Sequence, residues 1–126
     1  NATVAARAAR AVETLERVMN AWLASHGIDG YLFPYYPVVW DQLLAGHGAR
    51  PYFSVPFYTL HKLMAGLLAQ QKLAGSALAG EMVVSMAGWV GRRVERTLAA
   101  GGEARCVGRA WFALSEGREM GAIQID

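Results

Sequence analysis

The residues best equipped for chemistry lie in the stretch "SVPFYTLHKLMAGLLAQQKLAG", residues 54–75. Wound as a helix, it places His61 between Leu68 and Lys72, at the rim of an apolar face, with Tyr58 one turn earlier. A neutral imidazole carries one donor and one acceptor, which suits the hydroxyls of a sugar. The plainer alternative is a half-buried histidine bonded to a backbone carbonyl or a tyrosine. Just upstream, Tyr31, Tyr35, Tyr36, Trp40 and Tyr52 join Tyr58 in offering flat apolar faces with polar tips, as the two sides of a sugar ring require. Each of these rings, taken singly, is equally suited to covering a helix end.

Other chemistries find little support. Glycoside hydrolysis by paired carboxylates would need two acids facing one bond. The loop candidates are Asp29 and Asp41, but Asp29-Gly30 reads as a turn and Asp41 suits the flank of a short helix. Glu13, Glu16, Glu81 and Glu95 belong to solvated helix faces, so no catalytic pair is assigned. His26, His47 and His61 are scattered and Cys106 is the one cysteine, so no metal-ligand spacing and no internal disulfide follow. There is no Gly-x-Ser-x-Gly elbow and no phosphate-binding glycine loop. Arg92, Arg93 and Arg96 read as a solvated or inter-helix charge patch.

The elements that must position these residues are helical. Over residues 3–25, Val4, Ala8, Ala11, Val12, Leu15, Met19 and Trp22 recur on one stripe. Arg7, Arg10, Glu13, Arg17 and Asn20 lie opposite, Glu13 and Arg17 are spaced to pair, and Gly27 is a natural left-handed stop. Residues 27–56 hold all four prolines and most of the aromatics and read mainly as loop, with a short helix over 38–45. So long and so aromatic a loop is expected to be ordered and functional. A second long helix starts near Pro56 and runs to about Leu73, burying Phe57, Leu60, Leu63, Met64, Leu67 and Leu68. A third runs from about Ala77 to Ala99, with Leu78, Met82, Met86, Trp89, Val90 and Arg93 on one broad side, and Gly101-Gly102 ends it. Residues 103–126 follow neither helical nor strand periodicity and form a divergent tail, disordered or with a short hairpin about Ser115-Glu116-Gly117.

Composition sets the outer bounds. With 54% hydrophobic and 17% charged residues the chain can bury a core and is not intrinsically disordered. A formal charge of +2, with arginines spread along helices, does not suit nucleic-acid binding. No apolar run reaches the roughly 18 residues of a membrane span. The N-terminus has no signal-peptide pattern, so the chain is either not exported or already processed, and its compartment is left open. Asn1-Ala2-Thr3 fits a glycosylation acceptor, a short and common pattern. The third helix is apolar over more than half its circumference and wants neighbours on two sides. That implies a fragment, an oligomer, or a larger helical array.

In order along the chain, "DGYL" (Asp29–Leu32), "WDQLLAG" (Trp40–Gly46), "PFYTLHKLMAGLL" (Pro56–Leu68) and "AGSALAGEMVVSMAGWVGRRV" (Ala74–Val94) resemble the N-terminal part of glycoside hydrolase family 127, the β-L-arabinofuranosidase-like proteins. The resemblance covers about residues 8–100. It implies an all-α fold, a partial (α/α)6 barrel in which residues 1–102 supply three long helices and the aromatic loop. It implies a pentose-containing carbohydrate as ligand, with His61 lining the sugar pocket and Tyr58 and Tyr31 near it. The family's chemistry uses a zinc-bound cysteine nucleophile and a glutamate acid/base, at positions downstream of everything matched. Cys106 falls outside the matched part, so no catalytic residue, metal ligand or cofactor is assigned to this chain. The expectation is a fragment that contributes part of a sugar pocket and is inactive alone, completed by the remainder of the barrel or by another copy. The competing expectation is a non-enzymatic helical module that binds a partner or itself through its apolar faces.

Overall fold

A computed structural model describes residues 2–44 and 56–100. Four helices follow in order: α1 (Ala2–His26), α2 (Pro37–Leu44), α3 (Pro56–Ala74) and α4 (Ala77–Ala99). No strand occurs among the described residues, so the all-α expectation holds, and the helix limits fall within a residue or two of those read from periodicity. Residue 1, residues 45–55 and 101–126, and the side chain of Phe57 lie outside the described part. With them lie the expectations placed on His47, Tyr52, the Gly101-Gly102 stop, Cys106 and the tail hairpin.

The helix ends follow from their residues. Gly27 (φ 65°) and Gly75 (φ 66°) take the left-handed conformation that closes α1 and α3. Gly27 N–H donates to the Leu23 carbonyl at 2.8 Å, and Gly75 N–H to the Gln71 carbonyl at 3.1 Å. The next residues, Ile28 and Ser76, reach back to Trp22 and Gln70, so last-turn carbonyls that would lack partners are satisfied. Ser76 then serves α4, its Oγ accepting from Ala79 N–H at 3.3 Å. One local expectation differs: Arg17 donates to Thr14 Oγ1 at 3.1 Å in place of pairing with Glu13.

α4 is the central helix, packed against each of the other three and most extensively against the antiparallel α3 that the short Gly75-Ser76 link folds back on it. Met82, Met86, Trp89, Val90 and Val94 are buried on it, as are Leu60, Met64 and Leu67 on α3 and Val12 and Met19 on α1. The predicted stripes are therefore the buried faces, with exceptions at the start of α1, where Val4 is 63% exposed and Ala11 is also in solvent. The neighbours expected to be missing from α4 are partly supplied by the chain itself. Tyr31, Leu32 and Phe33, in the loop before α2, fold onto the core, and Met86 and Trp89 are covered. Val84 at 72%, Leu98 at 52% and Leu73 at 87% remain exposed on α3 and α4. No described helix is long and apolar enough to cross a membrane.

Gly30 shows how tightly that loop is drawn in. Its φ is 76°, and a Cβ there would stand 2.0 Å from the Ser85 carbonyl oxygen of α4. Both the positive φ and the approach of two backbones demand glycine. Gly27 shares the positive φ, but a Cβ on it would meet nothing within 4 Å. Gly30→Ala is expected to destabilise the fold by roughly 2–4 kcal/mol, against about 1 kcal/mol for Gly27→Ala. Urea unfolding of the two variants measures the difference, which isolates the loop-to-α4 contact.

Candidate functional site

His61 sits on the first half of α3, and the helix presents it half-buried beside a core of Leu60 and Met64. Both ring nitrogens are shielded from solvent, and neither has a hydrogen-bond partner among the described residues. The plain alternative, a histidine tied to a carbonyl or tyrosine, therefore does not describe His61. Tyr58, one turn earlier, is 47% exposed, with the Lys62 ammonium 5.2 Å from its ring centroid. The α3 pair thus combines an unpaired imidazole with an accessible phenol.

The loop aromatics divide into two groups. Tyr31, Phe33 and Trp40 are buried, while Tyr35 and Tyr36 are 40% and 66% exposed. The buried rings and the half-buried Trp22 form a continuous run. Trp22 of α1 meets Tyr31 edge-on at 5.0 Å, Tyr31 meets Trp89 of α4 at 4.7 Å, and Trp89 meets Trp40 of α2 at 5.8 Å. Phe33 packs edge-on against Trp40 at 5.1 Å. Tyr31 and Trp89 are tilted at 49°, while the other pairs are edge-to-face, a geometry that adds about 0.5–1.5 kcal/mol each beyond the area buried. For these rings the packing role is realised, and Tyr35, Tyr36 and Tyr58 are the tyrosines left exposed among the described residues.

Tyr31 is 1% exposed, and its hydroxyl donates to the Tyr35 carbonyl. Burial pushes that hydroxyl up to about 12, with Trp40 and the Arg93 charge pulling less strongly the other way. It is a neutral donor throughout the physiological range. No ring contact or hydrogen bond joins Tyr31 to Tyr58 or His61 among the described residues. The structure therefore brings His61 and Tyr58 together on α3 and places Tyr31 in the wall formed with α1 and α4.

Asp29 and Asp41 each turn to an arginine of α4. Arg93 pairs with Asp41 and stacks its guanidinium 4.7 Å from the centroid of the Trp89 ring. Arg92 donates to the Asp29 carbonyl at 3.1 Å and stands 4.0 Å from its carboxylate. The inter-helix part of the charge-patch reading is thus realised, with two arginines clasping the α1–α2 loop and α2. This long-range role gave no periodic or motif signal; the adjacent Arg92-Arg93 pair opposite two loop acids was its one trace. Among the described residues no three His, Cys, Asp or Glu side chains converge as metal ligands.

Sequence comparison places this geometry. Residues 1–109 match the family model for the β-L-arabinofuranosidase GH127 catalytic domain. That domain is an (α/α)6 barrel, with which the all-helical described part agrees. No curated protein and no solved structure matches the chain.

The raised Tyr31 hydroxyl makes a pH prediction. The unfolded chain ionises this group near its ordinary value of 10.0, while the folded chain holds the proton to about 12. Its contribution to stability is therefore fully present below about pH 10 and is lost as pH rises through the folded value. Tyr31→Phe should unfold less steeply than the parent between those two values, as followed by denaturant midpoints across the alkaline range. Tyrosinate absorbance of the folded parent should show one late step that the variant lacks.

Proposed function

Because the chain belongs to the GH127 β-L-arabinofuranosidase catalytic-domain family, we propose that it supplies part of the wall of a sugar pocket. His61 is the hydrogen-bonding group, Tyr58 the accessible ring beside it, and Tyr31 the third substrate-binding position. The ligand is a pentose-containing carbohydrate. The observation that carries this reading is the state of His61: two shielded ring nitrogens with no partner among the described residues. A buried polar atom left unpaired costs roughly 1–3 kcal/mol. A sugar offers what the ring lacks, an acceptor and a donor on adjacent carbons. Tyr31, through its bond to the Tyr35 carbonyl, also fixes the backbone from which Tyr35 and Tyr36 present their rings.

Hydrolysis requires more than these residues. The catalytic thiolate, its zinc and the glutamate acid/base fall outside the matched motifs, and Asp29 and Asp41 are engaged by Arg92 and Arg93. The chain by itself is accordingly proposed to bind but not to turn over glycosides. Val4, Val18 and Leu23 on α1 and Val84 and Leu98 on α4 are exposed apolar side chains. They are proposed to pack against the remaining helices of the ring, or against a second copy when those helices are absent.

Three measurements test this. The chain is incubated with an aryl arabinofuranoside, with and without zinc, and no turnover is expected; zinc-dependent turnover overturns the division of labour. L-arabinose binding is followed by calorimetry or NMR, and His61→Ala should weaken it roughly tenfold or more, the equivalent of losing a hydrogen-bonded pair. Light scattering of the same variant should show an unchanged association state. A His61→Ala chain that binds arabinose as well as the parent would remove the sugar reading and leave the self-associating helical module as the better account.

A further inference from the structure

Between the loop that follows α1 and the last turns of α4 lies an open cleft of about 380 Å³. Arg92, Arg93 and Arg96 line it together with Trp89, and Asp29 is the one carboxylate in the lining. The volume falls within the range of clefts that hold small molecules, about 300–1,000 Å³. Two of the guanidinium groups have protein partners. Arg93 is held by Asp41, by the Pro37 carbonyl at 3.5 Å and by the Trp89 ring, yet its Nε is buried without an acceptor. Arg92 is held by Asp29. The Arg96 side chain has no hydrogen bond or ion pair among the described residues, while its backbone carbonyl accepts from Ala100 N–H at 3.1 Å.

Helix-end electrostatics account for a cation near the C-terminus of α4, where the carbonyl ends favour positive charge. They do not account for three guanidinium groups lining one cleft when Asp29 and Asp41 compensate two of them and the described residues supply no carboxylate to Arg96. Like charges brought together raise one another's energy, and a guanidinium fork is best satisfied by the paired oxygens of a carboxylate or phosphate. Arg93, fixed by its stacking on Trp89, gives the cleft a pre-positioned floor, while Arg96 is free to close over a ligand.

We propose that this cleft binds the oxyanion group of a small ligand, a carboxylate or a phosphate, with Arg96 as its principal donor and Arg92 as the second. Asp29 opposes the anion and limits the affinity. The site does not depend on the sugar-pocket assignment of His61.

The test titrates the chain with D-glucuronate, with inorganic phosphate and with neutral D-glucose, following Trp fluorescence and amide NMR shifts of the α4 C-terminal turns. Saturable binding of glucuronate or phosphate is expected, with none for glucose. Saturation by glucuronate alone assigns a carboxylate ligand, and saturation by phosphate alone a phosphorylated one. Arg96→Gln should weaken binding roughly tenfold or more, as loss of a charge-assisted bond does, and Asp29→Asn should tighten it several-fold. Circular dichroism of both variants checks that α4 is intact. The proposal is overturned if neither anion saturates, or if binding is indifferent to both substitutions.

Discussion

Trp89 is the residue on which the arrangement of the chain depends. One indole, 5% exposed, meets Tyr31 from the α1–α2 loop, Trp40 from α2 and the guanidinium of Arg93 from its own helix. Through Tyr31 the run reaches Trp22 on α1. A loop segment with no regular secondary structure is thereby fastened to the central helix by ring contacts. The backbone of that segment can be fastened only because Gly30 lets it pass against the Ser85 carbonyl. Aromatic packing and one glycine together turn a loop into a wall.

That wall has a polar lock on its outer side. Arg93 joins the Trp89 ring to Asp41 and Pro37, so α2 is held by stacking, an ion pair and a carbonyl bond at once. Asp41 is half exposed, and exposed ion pairs alone contribute little. The pairing matters here because the arginine is already immobilised on the indole and is itself only 11% exposed, so little side-chain entropy remains to be lost. The same geometry directs Arg92 and Arg96 toward the adjacent cleft. α3 stands on the other side of α4, and on it His61 is held with its nitrogens shielded and unpaired while Tyr58 remains accessible. Among the described residues, polar groups without a protein partner thus occur on both of the paired helices, His61 on α3 and the Arg93 Nε on α4.

Much of this was legible in the residues themselves. The 3.6-residue recurrence of Val12, Met19, Leu60, Met64, Leu67, Met82, Met86 and Val90 marks their buried faces, because a helix must hide its apolar side somewhere. Gly27, Gly75 and Ser76 mark helix boundaries, because left-handed closure and side-chain capping are local needs. The motifs running from Asp29 to Val94 carried the family, which the match over residues 1–109 establishes. Periodicity cannot say which surface covers which. The excess apolar girth of α4 pointed to absent helices, whereas Tyr31, Leu32 and Phe33 from its own chain cover part of it. Nor can composition separate a buried ring from a presented one: Tyr31 and Tyr36 are five residues apart, yet one is 1% and the other 66% exposed.

The sequence by itself determined the helices, their ends, their buried stripes and the family. These rest on interactions among residues near one another along the chain. Only the tertiary structure decided that Asp29 and Asp41 serve as partners for α4 arginines, that Tyr31 belongs to the wall, and that His61 has no partner among the described residues. Each of these depends on the meeting of segments tens of residues apart. Such meetings are set by the summed packing of the core, to which no single local pattern corresponds.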